Sequence, residues 1–289
     1  MNRTTLDAWL AAHPYLRPLA HWTSRVEGAL ASIPASSAPV PDWNDGADDL
    51  RAGVPLLRSG LEIDLEPAGR AAVALVEKLS LDPTHGGPMA HLPLLAEHLR
   101  GDPEAPRRVG DWLLGDEAFA PPSPGLLRYL GWTAASRYLA PLVTAFDAWR
   151  DEEKWLRPYC PACGSAPAMA QLLGVDPGRK RLLACGACGS RWQFRRTACP
   201  FCESDSQRLA SVVVEGEAGL RIDSCDACGG YLKTYDGHGD ETLLMSDWTS
   251  LHLDLVARDR GLKGLAASLY DVGSVAGQPL TTKDLERTG

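Results

Sequence analysis

Eight cysteines in four Cys-x-x-Cys pairs constrain this 289-residue chain more than any other feature of its sequence. The pairs are Cys160/Cys163, Cys185/Cys188, Cys199/Cys202 and Cys225/Cys228. Twenty-one residues separate the first pair from the second, and 22 separate the third from the fourth, so the array is a tandem repeat. This spacing is typical of four-thiolate metal sites. We therefore predict two metal sites with these eight cysteines as their ligands.

The residues around each pair favour a metal-binding turn. Such a turn places two sulfurs on one side, and two turns that face each other form a tetrahedral site. Glycine, which tolerates the backbone conformation that follows the turn, comes next at Gly164, Gly189 and Gly229. Glu203 stands in this place after the third pair, so we expect the third turn to be the least regular.

The spacing leaves the pairing and the metal open. The repeat favours the first motif with the second and the third with the fourth, but a crossed arrangement satisfies the same spacing. Zinc suits a structural site and iron a redox-active one. Because all ligands are thiolates, neither site keeps an open position for metal-assisted hydrolysis. Walker loops, dinucleotide fingerprints and nucleophile elbows are also absent from the sequence, and we predict that the protein is not an enzyme.

Charge and hydropathy limit the cellular compartment that we expect for the protein and the kinds of partner that it can bind. Residues 156–240 carry 10 Lys/Arg and nine Asp/Glu, so the rest of the chain holds a net −9 within a formal total of −8. An acidic body argues against general nucleic-acid affinity. The polar start at Met1 lacks the apolar core of a signal peptide, and no apolar run is long enough for a membrane span. We expect a cytoplasmic protein with reduced thiols and no membrane insertion.

The chain divides by composition into a helical part and a cysteine-rich part. Apolar periodicity predicts helices over 61–81, 91–100, 109–114 and 125–150, the last interrupted near Pro141. A hairpin is predicted over 209–222, and a helix from Ser246 or Asp247 onward. The predicted fold class is α+β and multidomain: a mostly helical domain (1–155), two small rubredoxin-like or zinc-ribbon modules with four cysteines each (156–196 and 197–240), and a C-terminal helix with a tail (241–289) that is loose from Gly273.

Basic, histidine and tryptophan side chains near the motifs have ordinary roles as well as functional ones. The basic residues are Arg179, Lys180, Arg181, Arg191, Arg195 and Arg196. They either offset the negative charge of the thiolate sites or hold an acidic partner. The seven histidines form no two-histidine helical zinc motif, so we predict that His98 and His252 are surface or hydrogen-bonded residues. Trp192 is predicted to pack in a core.

With these motifs, the chain resembles the formate dehydrogenase accessory protein family, FdhE. The likeness is carried by Cys160–Pro167, Leu182–Cys188 with Trp192, Arg195 and Arg196, Cys199–Cys202, Cys225–Lys233, and Asp247–Asp254. It extends over about residues 156–260, and in the N-terminal half only the helical layout and a few Pro-Leu patterns agree.

The resemblance implies a non-enzymatic assembly chaperone that acts in the cytoplasm. Its client would be the catalytic subunit of formate dehydrogenase, bound before twin-arginine export and possibly through the signal peptide. The resemblance also implies iron in two rubredoxin-like sites of four cysteines each, with zinc as the alternative. Two other hypotheses stay open: a rubredoxin-like electron-transfer module, and a zinc-ribbon nucleic-acid binder that only the basic residues support.

Overall fold

The N-terminal half of the chain is helical, as its apolar periodicity predicted. A computed structural model describes residues 3–82, 87–205, 208–217 and 219–270, so the predicted loose tail from Gly273 lies outside the described residues. The helices of this half are α1 (Arg3–Ala12), α2 (Arg17–Ala31), α3 (Ala47–Ala52), α4 (Glu66–Ser80), α5 (Leu92–Arg100), α6 (Ala105–Leu113) and α7 (Pro124–Trp149). Among the described residues, no helix is both long and apolar enough to cross a bilayer.

Helix α4 lies at the centre of this half because one of its faces is wholly apolar. Its buried residues include Ala68, Ala72, Leu75 and Val76, whose spacing places them on one side of the helix. That side packs against α5, α6 and α7. At the crossing with α6 the two backbones touch, because a Cβ on Gly69 would lie 1.8 Å from the carbonyl oxygen of Pro106.

Replacing Gly69 by alanine is expected to destabilise the protein by about 1–3 kcal/mol, since the added methyl group meets rigid backbone and the helices must separate. Gly28→Ala in α2 is the matched control. No atom lies within 4 Å of a Cβ at Gly28, so helix propensity should make that variant more stable by up to about 1 kcal/mol. Urea denaturation measures both changes, and a Gly69→Ala protein as stable as the parent would contradict the close crossing.

Helix α7 runs unbroken from Pro124 to Trp149, so the predicted interruption near Pro141 was wrong. An internal proline costs about 3 kcal/mol because it lacks an N–H group and crowds the preceding turn. The neighbouring Leu139 and Leu142 are completely buried, and each such leucine contributes about 1.5–3 kcal/mol. Pro141 itself is exposed. Burial of the inner faces of α7 therefore outweighs the local cost and keeps the helix continuous.

The cysteine-rich half forms one mixed sheet. Its strands are β1 (Met169–Leu173), β2 (Lys180–Ala184), β3 (Arg191–Phe194), β4 (Leu209–Val213), β5 (Leu220–Cys225), β6 (Gly230–Asp236) and β7 (Lys263–Gly264). The order is β3-β2-β1-β6-β5-β4, with β7 beside β6. The first three strands are antiparallel, as are β4 to β6. Each predicted module thus contributes a hairpin and a third strand, and the hairpin predicted over 209–222 is confirmed.

The two sets of strands meet through a parallel pairing of β1 with β6. Met169 lies opposite Lys233, and Leu172 lies opposite Asp236. Both cysteine-rich repeats therefore share one hydrogen-bonded sheet, a connection that the sequence analysis did not predict. The division into separate modules at 156–196 and 197–240 stays a prediction, because a shared sheet does not measure whether either part folds alone.

The C-terminal segment packs against both halves of the molecule. Helix α8 (Glu241–Leu244) and a 3₁₀ turn (Asp247–Ser250) precede helix α9 (Leu251–Asp259). The α-helix therefore begins later than the predicted start at Ser246 or Asp247, because the intervening residues form the tighter turn. Trp9 of α1 donates from Nε1 to the carbonyl oxygen of Thr249 at 3.2 Å, which fixes the first helix to this segment.

Candidate metal centres

The first cluster contains Cys160, Cys163, Cys185 and Cys188. Their four Sγ atoms all lie within 4.8 Å of one another, and all four residues are buried. The Sγ atoms of Cys160 and Cys188 are 3.5 Å apart, and those of Cys163 and Cys185 are 3.4 Å apart. Two turns, one before β1 and one after β2, therefore bring four sulfurs around a common centre.

The second cluster repeats this arrangement with Cys199, Cys202, Cys225 and Cys228. The Sγ distances are 3.8 Å between Cys199 and Cys228 and 3.7 Å between Cys202 and Cys225. Cys202 is exposed and Cys228 is only partly buried, in contrast to the first cluster. The second site is thus accessible to solvent, whereas the first is enclosed by the protein.

The spacing of the sulfurs fits a four-thiolate metal site. A Zn–S bond of about 2.3 Å in a tetrahedron separates neighbouring sulfurs by about 3.8 Å, close to the distances of 3.4–3.8 Å found here. A disulfide would require about 2.05 Å, and all eight cysteines are free thiols. The motifs cluster first with second and third with fourth, as the repeat favoured, and not in the crossed arrangement.

A left-handed residue follows each Cys-x-x-Cys turn. The φ angles are +82° at Gly164, +81° at Gly189, +56° at Glu203 and +73° at Gly229. In each turn this residue donates its N–H to the carbonyl oxygen of the first cysteine, for example from Gly164 to Cys160 at 2.9 Å. Glu203 adopts the same conformation at a steric cost that glycine avoids, so the third turn repeats the geometry of the others and is not the irregular turn that its sequence predicted.

Backbone N–H groups point at sulfurs in both clusters. Cys188 N lies 3.5 Å from Sγ of Cys185, and Phe201 N lies 3.4 Å from Sγ of Cys199. Gly230 N approaches Sγ of Cys228 at 3.4 Å. These dipoles offset part of the negative charge that four thiolates bring together, and they hold the sulfurs in place for a cation.

The thiols differ in how readily they ionise. Burial raises the pKa of Cys160, while hydrogen bonds from the neighbouring thiols lower the pKa of Cys163. In the second cluster burial raises the pKa of Cys199 to about 12. Burial opposes ionisation of Cys202 as well, but hydrogen bonds with Ser204 lower its pKa to about 7. The lowered pKa therefore belongs to the second cysteine of the first motif in each cluster.

Most of the basic residues near the motifs are engaged within the protein. Arg179 pairs with Asp236, Arg195 with Glu203 and Arg196 with Asp176, and Arg191 donates to Gln171. Arg181 is buried, which lowers its pKa to about 10, and its Nη2 donates to the carbonyl oxygens of Arg195 and Ala198. These contacts tie the side chains to neighbouring parts of the sheet and the turns.

The C-terminal motif encloses a buried lysine. Lys233 of β6 is 2% exposed, and its Nζ lies 2.5 Å from Oδ1 of Asp247 and 2.8 Å from Oδ2 of Asp254. Tyr231 donates to the other oxygen of Asp254 at 2.7 Å, and Ser268 donates to the other oxygen of Asp247 at 2.5 Å. The two acidic residues of Asp247–Asp254 thus neutralise a cation inside the protein.

Trp192 and His252 are placed as the sequence predicted. Trp192 is completely buried and donates from Nε1 to the carbonyl oxygen of Arg157 at 3.0 Å. His252 is hydrogen-bonded, with Nε2 2.7 Å from Oε1 of Glu217. Nε2 of His13 lies 3.1 Å from the same oxygen of Glu217. His13, Glu217 and His252 thus form a cluster that the sequence analysis did not predict. Their sequence separations follow no metal-site spacing, so no local signal marks the cluster.

Comparisons with known proteins find FdhE proteins. The chain is 30% identical over 130 residues to a protein FdhE homolog of Aquifex aeolicus, over 43% of this chain and 46% of the relative. Identity is 37% over 117 residues to a Pseudomonas aeruginosa homolog (36% and 37% covered), and 31% over 134 residues to protein FdhE of Escherichia coli O9:H4 (45% and 43% covered). Each alignment spans less than half of the relative's length. No family model matches the chain.

The fold is also known from a solved structure. The crystal structure of the FdhE protein from Pseudomonas aeruginosa matches with a TM-score of 0.59 and 24% identity. The match covers 89% of this chain and 88% of the other. It therefore includes helical and cysteine-rich halves alike, and supports the mixed α+β fold class.

Proposed function

Because the resemblance to the FdhE family is confirmed by these curated relatives, we propose that the chain is an accessory protein of formate dehydrogenase. The proposed client is the catalytic subunit. The protein would bind the mature body of this client, its signal peptide or both, in the cytoplasm and before twin-arginine export. One observation carries the proposal: two clusters of four cysteines each occur in a chain that aligns with FdhE proteins.

In this proposal the eight cysteines hold iron in two sites, with zinc as the alternative, and the protein acts by binding and not by catalysis. Four thiolates close each coordination sphere, so no ligand position is left for a substrate. Metal affinity in such sites becomes folding free energy for the small elements around them. The sheet that joins the two clusters would present a rigid surface to a polypeptide.

A redox role is the second candidate, and the exposure of Cys202 favours it. Iron held by four thiolates exchanges electrons most readily where the site approaches solvent, as the second cluster does. Visible absorption and a potentiometric titration of anaerobically purified protein distinguish the two functions. A colourless, zinc-only protein that still supports formate dehydrogenase in cells would remove the redox candidate.

Nucleic acid is not proposed as a partner. Five of the six basic residues near the motifs pair with acidic groups or donate hydrogen bonds within the protein. The chain as a whole is acidic, with a total formal charge of −8. The internal partners of these residues and the acidic net charge argue against general affinity for phosphates.

The test is co-purification. We expect the full chain to recover the formate dehydrogenase catalytic subunit from cells that express both, and not an unrelated twin-arginine precursor used as the control. A client without its signal peptide separates recognition of the mature body from recognition of the signal. Failure to recover either form of the client, with both metal sites loaded, would contradict the proposed function.

A further inference from the structure

The cluster of His13, Glu217 and His252 joins three distant segments of the chain. His13 precedes a 3₁₀ turn after α1, Glu217 lies between β4 and β5, and His252 belongs to α9. Nε2 of His13 lies 3.1 Å from Oε1 of Glu217, and Nε2 of His252 lies 2.7 Å from the same oxygen. The side chains are only 7–11% exposed.

The hydrogen bond of the other ring nitrogen of His13, Nδ1, shows that this nitrogen is protonated. Nδ1 is 3.0 Å from the carbonyl oxygen of Trp9, which only accepts hydrogen bonds, so Nδ1 carries a proton. A neutral His13 then directs the lone pair of Nε2 at a carboxylate oxygen. Two acceptors at this distance need a proton or a metal ion between them, and the proton could be bound to His13 or to Glu217. A bond from the far nitrogen to a backbone carbonyl is also how metal-binding histidines are oriented. His13 has this bond, whereas the buried Nδ1 of His252 has no hydrogen-bond partner among the described residues.

The second carboxylate oxygen of Glu217, Oε2, favours a metal ion over a proton in this cluster. Within the described part of the chain, Oε2 is buried and accepts no hydrogen bond. In a cluster held by protons alone, this oxygen stays unsatisfied at a cost of about 1–3 kcal/mol. A cation held by both oxygens removes that cost. Two imidazoles and one carboxylate form a ligand set that zinc and ferrous iron accept.

We propose that His13, Glu217 and His252 form a third metal site, which binds a divalent first-row ion such as Zn²⁺ or Fe²⁺. Unlike the four-cysteine clusters, this site supplies three protein ligands and so keeps at least one coordination position for water or a small ligand. One of the three proposed ligands, His252, lines a cavity of about 650 Å³ together with Tyr15. The site also ties the segment after α1 to the cysteine-rich half.

Metal counting tests the proposal on the full chain without a polyhistidine tag. After dialysis against Zn²⁺, we expect three equivalents in the parent protein and two in His13→Gln/His252→Gln. Glu217→Gln, which keeps the size and polarity of the side chain, should weaken the third equivalent by at least about 100-fold. His21→Gln is the matched control, since His21 is exposed on α2 and should leave the count at three.

Cobalt distinguishes the third site from the cysteines. Co²⁺ in a four-cysteine cluster shows intense sulfur-to-metal charge-transfer bands, so the equivalent lost in the variants should be one that lacks them. Circular dichroism establishes that the variants are folded. Two equivalents in the parent protein, or three in the folded double variant, would overturn the proposal. Variants that are less stable but keep an unchanged metal count would identify the cluster as a hydrogen-bonded clamp and would overturn it equally.

Discussion

Replacing Cys160 and Cys163 together by serine is expected to remove one metal equivalent and to unfold much of the cysteine-rich half. Structural zinc contributes an apparent ~10–16 kcal/mol to small zinc-binding folds, against a total stability of about 5–15 kcal/mol for a typical domain. The effect should be large because the four cysteines of the first cluster are buried and continuous with the main hydrophobic core.

The matched variant replaces Cys199 and Cys202 by serine. It should also lose one equivalent, but with a smaller loss of stability, because Cys202 is exposed and none of the four cysteines of the second cluster belongs to the main core, although Ala198 does and Phe201 packs against it. Elemental analysis and thermal unfolding of both double variants provide the measurement. A first variant that binds as many metal equivalents as the parent protein would contradict the proposed ligation, and equal destabilisation of the two variants would contradict the difference in burial.

Replacing Lys233 by methionine is expected to lower the free energy of unfolding by about 3–5 kcal/mol. The change leaves two carboxylates, Asp247 and Asp254, inside the protein without their cation, and breaking one side of a buried ion pair carries this cost. Lys154→Met is the control: its pair with Asp151 is exposed (77% and 48%), so the change should be within about 1 kcal/mol. Denaturant titration of the three proteins measures the difference.

The pH dependence of this effect has a definite sign. Burial alone would lower the pKa of Lys233, but the attraction of Asp247 and Asp254 is stronger and raises it above the usual value. A raised pKa in the folded state means that the stabilisation is complete at neutral pH and is lost only as the pH rises through the folded pKa. The gap between Lys233→Met and the parent protein should therefore be constant near neutrality and shrink in alkali. A gap that closes as the pH rises from 6 to about 8 would show that another group is responsible.

Much of the local structure followed from residue type and spacing. Cysteine spacing predicted both four-sulfur clusters and their order, since a Cys-x-x-Cys turn is decided by a few adjacent residues. Helical periodicity predicted α4, where one apolar face repeats within a single element. Pro141 shows the limit of this reasoning, because its local cost was outweighed by the burial of Leu139 and Leu142 in tertiary packing.

The sequence by itself determined that the eight thiols form four metal-binding pairs and where helices give way to strands, because these properties depend on neighbours along the chain. Only the tertiary structure decided that β1 pairs with β6, that one cluster is enclosed and the other open, and that Lys233 lies between two aspartates. The meeting of His13 with Glu217 and His252 belongs to the same group. Such contacts join segments up to 239 residues apart, where no periodic pattern connects the partners and packing alone selects them.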